Sequence, residues 1–297
     1  VSPLVSIVTP SLNAAAYLEQ ALDSVFRQGY ACIEYLVVDG GSRDGTLELL
    51  RRYEGRLSYL SAPDRGPAEA INLGFRLTRG EIFAWLSADD YYLPGAVAAA
   101  VRQLAANPAA GVVYGEAEWV DESGRRLGDY PTGPFDPRRL ARECFIAQPA
   151  AFLRREAFQA AGGLDPRWPH TFDYDLWIRL AQRFPFTYVR KRLAASRMHR
   201  RSITLGARRQ VLEENIRLLR HHFGYAPFSW IYALCAHRLD RRDQFFEPLR
   251  PSAAAYALSL PVGMFCNRRH PARYLREWRS AMTPSAWRRL FRSLLPR

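Results

Sequence analysis

Cysteine is scarce in this 297-residue chain. Cys32, Cys144, Cys235 and Cys266 stand too far apart to make a C-x-x-C redox pair or a spaced set of zinc ligands. Reduced, mostly buried thiols in a cytosolic protein are therefore expected. Lysine is almost missing, since Lys191 is the only one among 42 basic side chains, so the basic character is carried by arginine. No run of 18 apolar residues occurs. The nearest, residues 252–266, is too short to span a bilayer and is expected to be broken by Pro261, which excludes an ordinary transmembrane helix. The first residues read as a strand, so no secretory leader is expected. Internal repeats and low-complexity linkers are absent as well.

An apolar fraction of 48% excludes a disordered chain, and the length suits one large domain with an appendage. The net charge of +13 is distributed unevenly: residues 1–189 carry −4 and residues 190–297 carry +17. A C-terminal third of that charge suits an anionic surface, either membrane or nucleic acid, or else a solvated arginine-rich helical face.

The N-terminal part alternates strands and helices. Residues 4–9, 33–39, 57–61 and 82–87 are β-rich runs, while residues 15–28, 46–53, 67–78 and 94–106 have helical periodicity. Asp44 is expected to cap the second helix, and Pro67 opens the third. This rhythm predicts an α/β fold with a parallel sheet covered on both faces. Ligands of such sheets bind at the carboxyl ends of the strands, and those ends carry Thr9 and Pro10, Asp39, and residues 87–90. Beyond Gly111 strands are expected at 112–120, 149–153 and 186–190, with a helix at 173–183. From residue 206 the chain reads as helical.

The run Trp85-Leu86-Ser87-Ala88-Asp89-Asp90 ends a strand in adjacent carboxylates. These suit Mg²⁺ or Mn²⁺ bridging a diphosphate; they equally suit acids at the start of the following helix. The loop "DGGSRDGT" has the small residues of a nucleotide-contacting turn, or of an ordinary strand-to-helix connection.

Six blocks in order resemble glycosyltransferase family 2: "SIVTPSLN", "VVDGGSRDGT", "PDRGPAEAINLG", "GEIFAWLSADDYYLPGA", "QPAAFLRREAFQAAGGLD" and "FDYDLWIRL". The resemblance covers roughly residues 3–205. It implies a GT-A fold, with a Rossmann-like, mostly parallel central sheet flanked by helices and a helical C-terminal extension. The implied catalytic domain is 1–205, with a nucleotide-sugar half at about 1–110 and an acceptor half at about 111–205; the basic extension is 206–297. It further implies an inverting transferase of the bacterial cell-surface glycan type, with a UDP- or dTDP-sugar donor favoured and a glycan or polyprenyl-linked acceptor. Thr9, Pro10, Asn13, Asp39, Ser42, Asp64, Asn72, Ala88 and Arg197 would line the donor site, with Asp44 shaping its turn. Asp89, Asp90 and His199 would hold the cation, and Asp173 would be the base. The chain departs from the family pattern at Gly40, Ser87 and Phe172. The last places an apolar neighbour beside Asp173 that would raise its pKa by desolvation.

No G-x-G-x-x-G follows the first strand, which counts against a dinucleotide enzyme, and "TPSLNAAAY" lacks the loop of a sugar-nucleotide pyrophosphorylase. A catalytically weak or dead relative, or a nucleic-acid-binding protein using the tail, are the alternatives; no nucleic-acid partner is expected. In the tail, Trp278, Met282, Trp287, Leu290, Leu294 and Leu295 could share an apolar side flanked by Arg279, Arg288, Arg289 and Arg292. Such a helix would lie in a membrane interface, or pack on the catalytic domain. With the former, the chain is expected in the cytoplasm, peripheral on the inner membrane.

Overall fold

The computed structural model describes residues 2–240 and 252–281. The chain divides into two compact units, residues 1–199 and 200–297.

The first unit is built on strands β1 (Val5–Ser11), β2 (Ile33–Asp39), β3 (Ser58–Ser61), β4 (Ile82–Trp85), β5 (Tyr91–Tyr92), β6 (Val112–Val120), β7 (Arg126–Asp129), β8 (Ala151–Arg154) and β9 (Phe186–Arg197). Eight of them lie in the order β3-β2-β1-β4-β8-β6-β9-β5, with β7 paired to β6. The sheet has two characters. From β3 to β4 every pairing is parallel, with Val5 opposite Ile33 and Ser11 opposite Asp39. Beyond β4 it is mixed: β8 runs antiparallel to both β4 and β6, while β9 is parallel to β6 and antiparallel to β5. Every β1 residue except Pro10 is buried, because helices cover both faces of a parallel sheet.

Those helices are α1 (Leu18–Phe26), α2 (Thr46–Arg51), α3 (Pro67–Leu77), α4 (Ala96–Ala106), α5 (Pro137–Leu140), α6 (Arg155–Ala160) and α7 (Phe172–Ala181). Small residues set their approach. A Cβ on Gly74 would stand 2.5 Å from Val8 Cγ1, so α3 lies directly on β1 only because that position is glycine. Gly45, not Asp44, is the N-cap of α2. Asp44 instead accepts from Thr46 N across a two-residue turn at 3.0 Å.

The largest difference from the sequence expectation is β9, which runs seven residues past Arg190. The exposed run Arg190-Lys191-Arg192 hides the strand pattern. Arg192 is nonetheless held at the strand surface by Asp129 at 3.1 Å and Glu118 at 3.6 Å. The consequence is functional: β9 delivers Arg197, and His199 just beyond it, to the sheet.

The second unit is helical: α8 (Ile203–Gly206), α9 (Arg208–Phe223), α10 (Phe228–Leu239), α11 (Ala253–Cys266) and α12 (Pro271–Ala281). Its own core contains Leu212, Ile216, Ile231, Leu234, Cys235 and Tyr274. Contrary to expectation, Pro261 does not break the apolar run, because α11 passes through it. Gly263 lets Tyr274 press against α11; a Cβ there would stand 1.8 Å from the ring. Trp278 is not on an outward apolar side: its ring stacks on Tyr256 at 4.2 Å and its indole N–H donates to Tyr256 O at 3.1 Å. Met282, Trp287 and the residues after them lie outside the described residues. All four cysteines are free thiols, with Cys235 buried and the others half-buried.

Candidate active site

The carboxyl ends of β1 and β2 form a stitched rim. Asp39 ends β2 fully buried, and both of its carboxylate oxygens are hydrogen-bonded. It accepts from Gly41 N at 3.1 Å, Ser42 N at 2.9 Å, Ser61 Oγ at 2.7 Å and the Ser42 hydroxyl. Ser42 Oγ in turn accepts from Asn13 N at 2.7 Å, and Asn13 Oδ1 accepts from Arg43 N at 2.9 Å. Asn13 adopts φ 50°, a left-handed turn that asparagine tolerates. Thr46 Oγ1 and Asp44 Oδ2 bind the neighbouring Ala14 N and Ala15 N at 3.0 and 3.1 Å. Partial burial works against the Asp44 charge, but hydrogen bonds from Thr46 and Ala15 outweigh it and hold the carboxyl below its ordinary range.

The remaining donor-side residues separate into two groups. Asp64 lies over Gly40, where an added Cβ would stand 3.0 Å from its Oδ2, while its Oδ1 accepts from Gly66 N at 2.9 Å. Pro10 is half-buried on the same rim and Ala88 is buried beside Asp89. Thr9 and Asn72 are directed elsewhere. Thr9 Oγ1 shares a buried hydrogen bond of 3.0 Å with Tyr35. Asn72 grips the backbone of Leu164, donating to its O at 2.8 Å and accepting from its N at 2.9 Å.

At the end of β4 the chain turns through Asp89 and Asp90. His199 Nε2 stands 2.8 Å from Asp89 Oδ2, and its ring lies 4.9 Å from Tyr17. Arg197 is a brace with little donor capacity left over. Its Nε donates to Asp89 O at 3.0 Å and its terminal nitrogens to Asp121 O at 3.0 Å, Glu122 O at 2.9 Å and the Gln20 amide oxygen. Its guanidinium also stacks 4.8 Å over Tyr17. Asp90 faces inward, accepting from Arg197 N at 2.8 Å. Burial, with the adjacent Asp89 charge adding to it, pushes Asp90 well above the usual carboxylate range.

The cation expected here meets an incomplete protein shell. Among the described residues no group of three or more His, Cys, Asp or Glu side chains is arranged to hold a metal. Asp89 and His199 do supply one oxygen and one nitrogen side by side. That pair could supply part of the shell of a hard divalent ion, with the rest left to oxygen ligands from outside the protein. Asp90 is not part of the pair.

Asp173 stands in the first turn of α7, half-buried, and accepts from Tyr174 N at 2.8 Å. The Tyr174 hydroxyl, donating to Leu140 O at 2.6 Å, pins that turn. Burial raises the Tyr130 phenol and the Cys144 thiol far above their usual values, and the Asp173 charge contributes to both. Trp85 of β4 stacks on Trp177 of α7 at 5.6 Å, tying the strand that leads to Asp89 to the helix that carries Asp173.

The profile of glycosyl transferase family 2 matches residues 6–162, more than half of the chain. The chain belongs to glycosyl transferase family 2. Asp173, Arg197 and His199 lie beyond the matched span. An uncharacterized glycosyltransferase of Rickettsia felis is 32% identical over 212 residues, which cover 66% of this chain and 34% of that protein. The chain therefore spans about a third of that relative. Residues 1–349 of Staphylococcus aureus TarS, solved with UDP-GlcNAc, superpose with a TM-score of 0.62 at 15% identity, covering 89% of this chain and 81% of that one. A mannosyltransferase of Pyrobaculum calidifontis, solved with GDP-Man and Mn²⁺, gives 0.60 at 20% identity over 99% and 80% of the two chains. These likenesses establish the GT-A fold.

Gln20, Tyr17, Ser61 and Gln148 were not evident as site residues from sequence. Gln148 donates to Trp85 O at 2.7 Å and opens the block "QPAAFLRREAFQAAGGLD", whereas the other three stand outside the quoted blocks. Ser11 is a fifth: it is 5% exposed at the β1 end and its hydroxyl has no partner. Strict β alternation through "SIVTPSLN" could have found it.

Proposed function

We propose that this glycosyltransferase moves a sugar, with inversion, from a nucleoside diphosphate sugar to a hydroxyl of a glycan or polyprenyl-linked acceptor in cell-surface polysaccharide synthesis. The observation that carries the reading is the Asp89–His199 pair at the end of β4, joined through the Trp85–Trp177 stack to the helix that presents Asp173. One end suits the leaving diphosphate and the other the attacking hydroxyl. A UDP- or dTDP-sugar is favoured because Asp64 Oδ2 lies over Gly40. A carboxylate oxygen there accepts the imide N–H that uracil and thymine share. The sugar-nucleotide complexes of the two structural relatives support the donor class.

When bound, Mg²⁺ or Mn²⁺ neutralises the charge that develops on the departing diphosphate. Asp89 and His199 would hold it. Arg197 fixes the Asp89 carbonyl and so sets the direction of that carboxylate. Asp173 takes the proton of the acceptor hydroxyl as its oxygen attacks the anomeric carbon from the face opposite the diphosphate. One base and one displacement invert the centre. The excess of arginine after residue 190 and a lipid-linked acceptor together support work on the cytoplasmic face of the inner membrane.

A panel of nucleotide sugars with Mg²⁺ or Mn²⁺, followed by nucleotide release, tests the reading. Wild type is expected to turn over one donor, and Asp173→Asn to lose about 10²–10⁴-fold in kcat. Equal turnover by the two proteins would remove Asp173 as the base. Binding without turnover in wild type would favour a catalytically weak relative.

A further inference from the structure

Helix α11 has no charged residue in its 14 positions, and it divides sharply into two faces. Ala255, Tyr256, Ser259 and Gly263 are buried against the rest of the helical unit. Ala254, Ala257, Leu258, Pro261 and Phe265 are all exposed, Phe265 at 75%. At 3.6 residues per turn these five fall within about a third of the helix circumference. A soluble helix ordinarily turns polar residues to water; this one turns a continuous apolar stripe. Arg268 and Arg269 follow three and four residues after Phe265, and α12 adds exposed Arg273, Arg276 and Arg279. No ion pair engages these five arginines among the described residues, although the Arg273 guanidinium lies 3.8 Å over the Tyr225 ring.

The length of α11 decides the geometry. Fourteen residues extend about 21 Å, short of the roughly 30 Å hydrocarbon core of a bilayer. No helix of the described residues is long and apolar enough to cross a membrane. An apolar stripe of this length, next to arginines, suits a helix lying in the plane of the interface with its side chains in the acyl region and the cations at the headgroups. The charge complementarity favours an anionic bilayer over a second copy of this chain, whose own surface would bring the same arginines together.

We infer that the exposed face of α11, with Arg268, Arg269 and the α12 arginines, is the surface by which this chain seats on an anionic lipid bilayer. The inference rests on the reading of a membrane-borne acceptor and names the surface that serves it. The surface named lies wholly in the described helices; the residues from Met282 to Leu295 to which the sequence pointed lie outside them.

Vesicle flotation of the full chain tests this, with phosphatidylcholine alone or mixed with phosphatidylglycerol. Wild type is expected to float with the mixed vesicles and to be released by salt. Phe265→Asp on α11 is expected to lower the partition by about tenfold, with donor turnover unchanged because that side chain is 75% exposed and lies outside residues 1–199. Arg288→Gln with Arg289→Gln and Arg292→Gln serves as the contrasting variant. If it abolishes flotation while the α11 variant floats as wild type does, the membrane reading stands and the α11 surface is wrong. If wild type does not float, both fail. If wild type dimerises without lipid and the α11 variant is monomeric, a second copy covers the face and the inference is overturned.

Discussion

Replacing Asn72 with alanine removes two hydrogen bonds at once and leaves Leu164 with an unanswered N–H and an unanswered C=O. Leu164 is 2% exposed, so water does not readily replace the lost partners. The expected cost is about 2–4 kcal/mol, from roughly 1 kcal/mol per net bond plus the penalty of the orphaned backbone groups. For a unit of this size that lowers Tm by about 5–15 °C. The catalytic consequence follows from what else holds the same loop. Arg179 of α7 donates to Gly163 O at 2.8 Å and pairs with Asp175 at 2.6 Å, two residues from Asp173. Loosening residues 162–164 therefore loosens the seating of α7, and kcat is expected to fall while nucleotide affinity holds. Thermal unfolding, nucleotide titration and steady-state kinetics on Asn72→Ala read the three quantities separately. An unchanged Tm with weaker nucleotide binding would refute the clamp and return Asn72 to the donor site.

Asp90→Asn is expected to keep activity, whereas Asp89→Asn loses it, measured as nucleotide release across a metal titration. The pH dependence has a definite sign. A carboxyl whose folded pKa is raised stabilises the fold fully below its unfolded pKa, and that contribution is lost as pH rises through the folded value. Asp90→Asn should thus match wild type in Tm near pH 4 and equal or exceed it near pH 8. Arg197→Lys cannot reach three carbonyls and Gln20 together; a loss of about 2–4 kcal/mol is expected in denaturant unfolding, with weaker Mn²⁺ activation of turnover. Gly263→Ala drives a methyl into Tyr274 and should expose the helical unit to protease, at a cost of about 1–3 kcal/mol or more. Nucleotide binding by residues 1–199 should survive it.

Much of the fold was legible because β-branched and aromatic residues dominate β2 and β6; residues 33–39 and 112–120 agree with the observed strands to the residue. The continuation of β9 past Arg190 was not, because its middle is a charged surface that the neighbouring Glu118 and Asp129 make compatible with a strand. The antiparallel half of the sheet was invisible for a related reason: strand direction depends on which neighbour a strand meets, and no local pattern records that. Among site residues, the acids at strand ends could be located because position in an α/β sheet predicts the functional edge. Their individual orientations could not. Asp89 and Asp90 are adjacent and chemically identical, yet one faces His199 and the other the backbone of Arg197. Asn72 and Arg197 carry polar groups suited to a ligand, but tertiary partners claim them first.

The cross-linking of the β1 and β2 loops bears on how quickly a donor can be captured. Residues 13–15 and 39–46 are joined by side chain-to-backbone bonds made wholly within the protein. The entropy of ordering that rim is lost when the chain folds, not when the ligand arrives. Association should then be limited by encounter and not by loop closure. The observed rate constant would rise linearly with nucleotide concentration in stopped-flow experiments, with no plateau from a slow isomerisation of this rim.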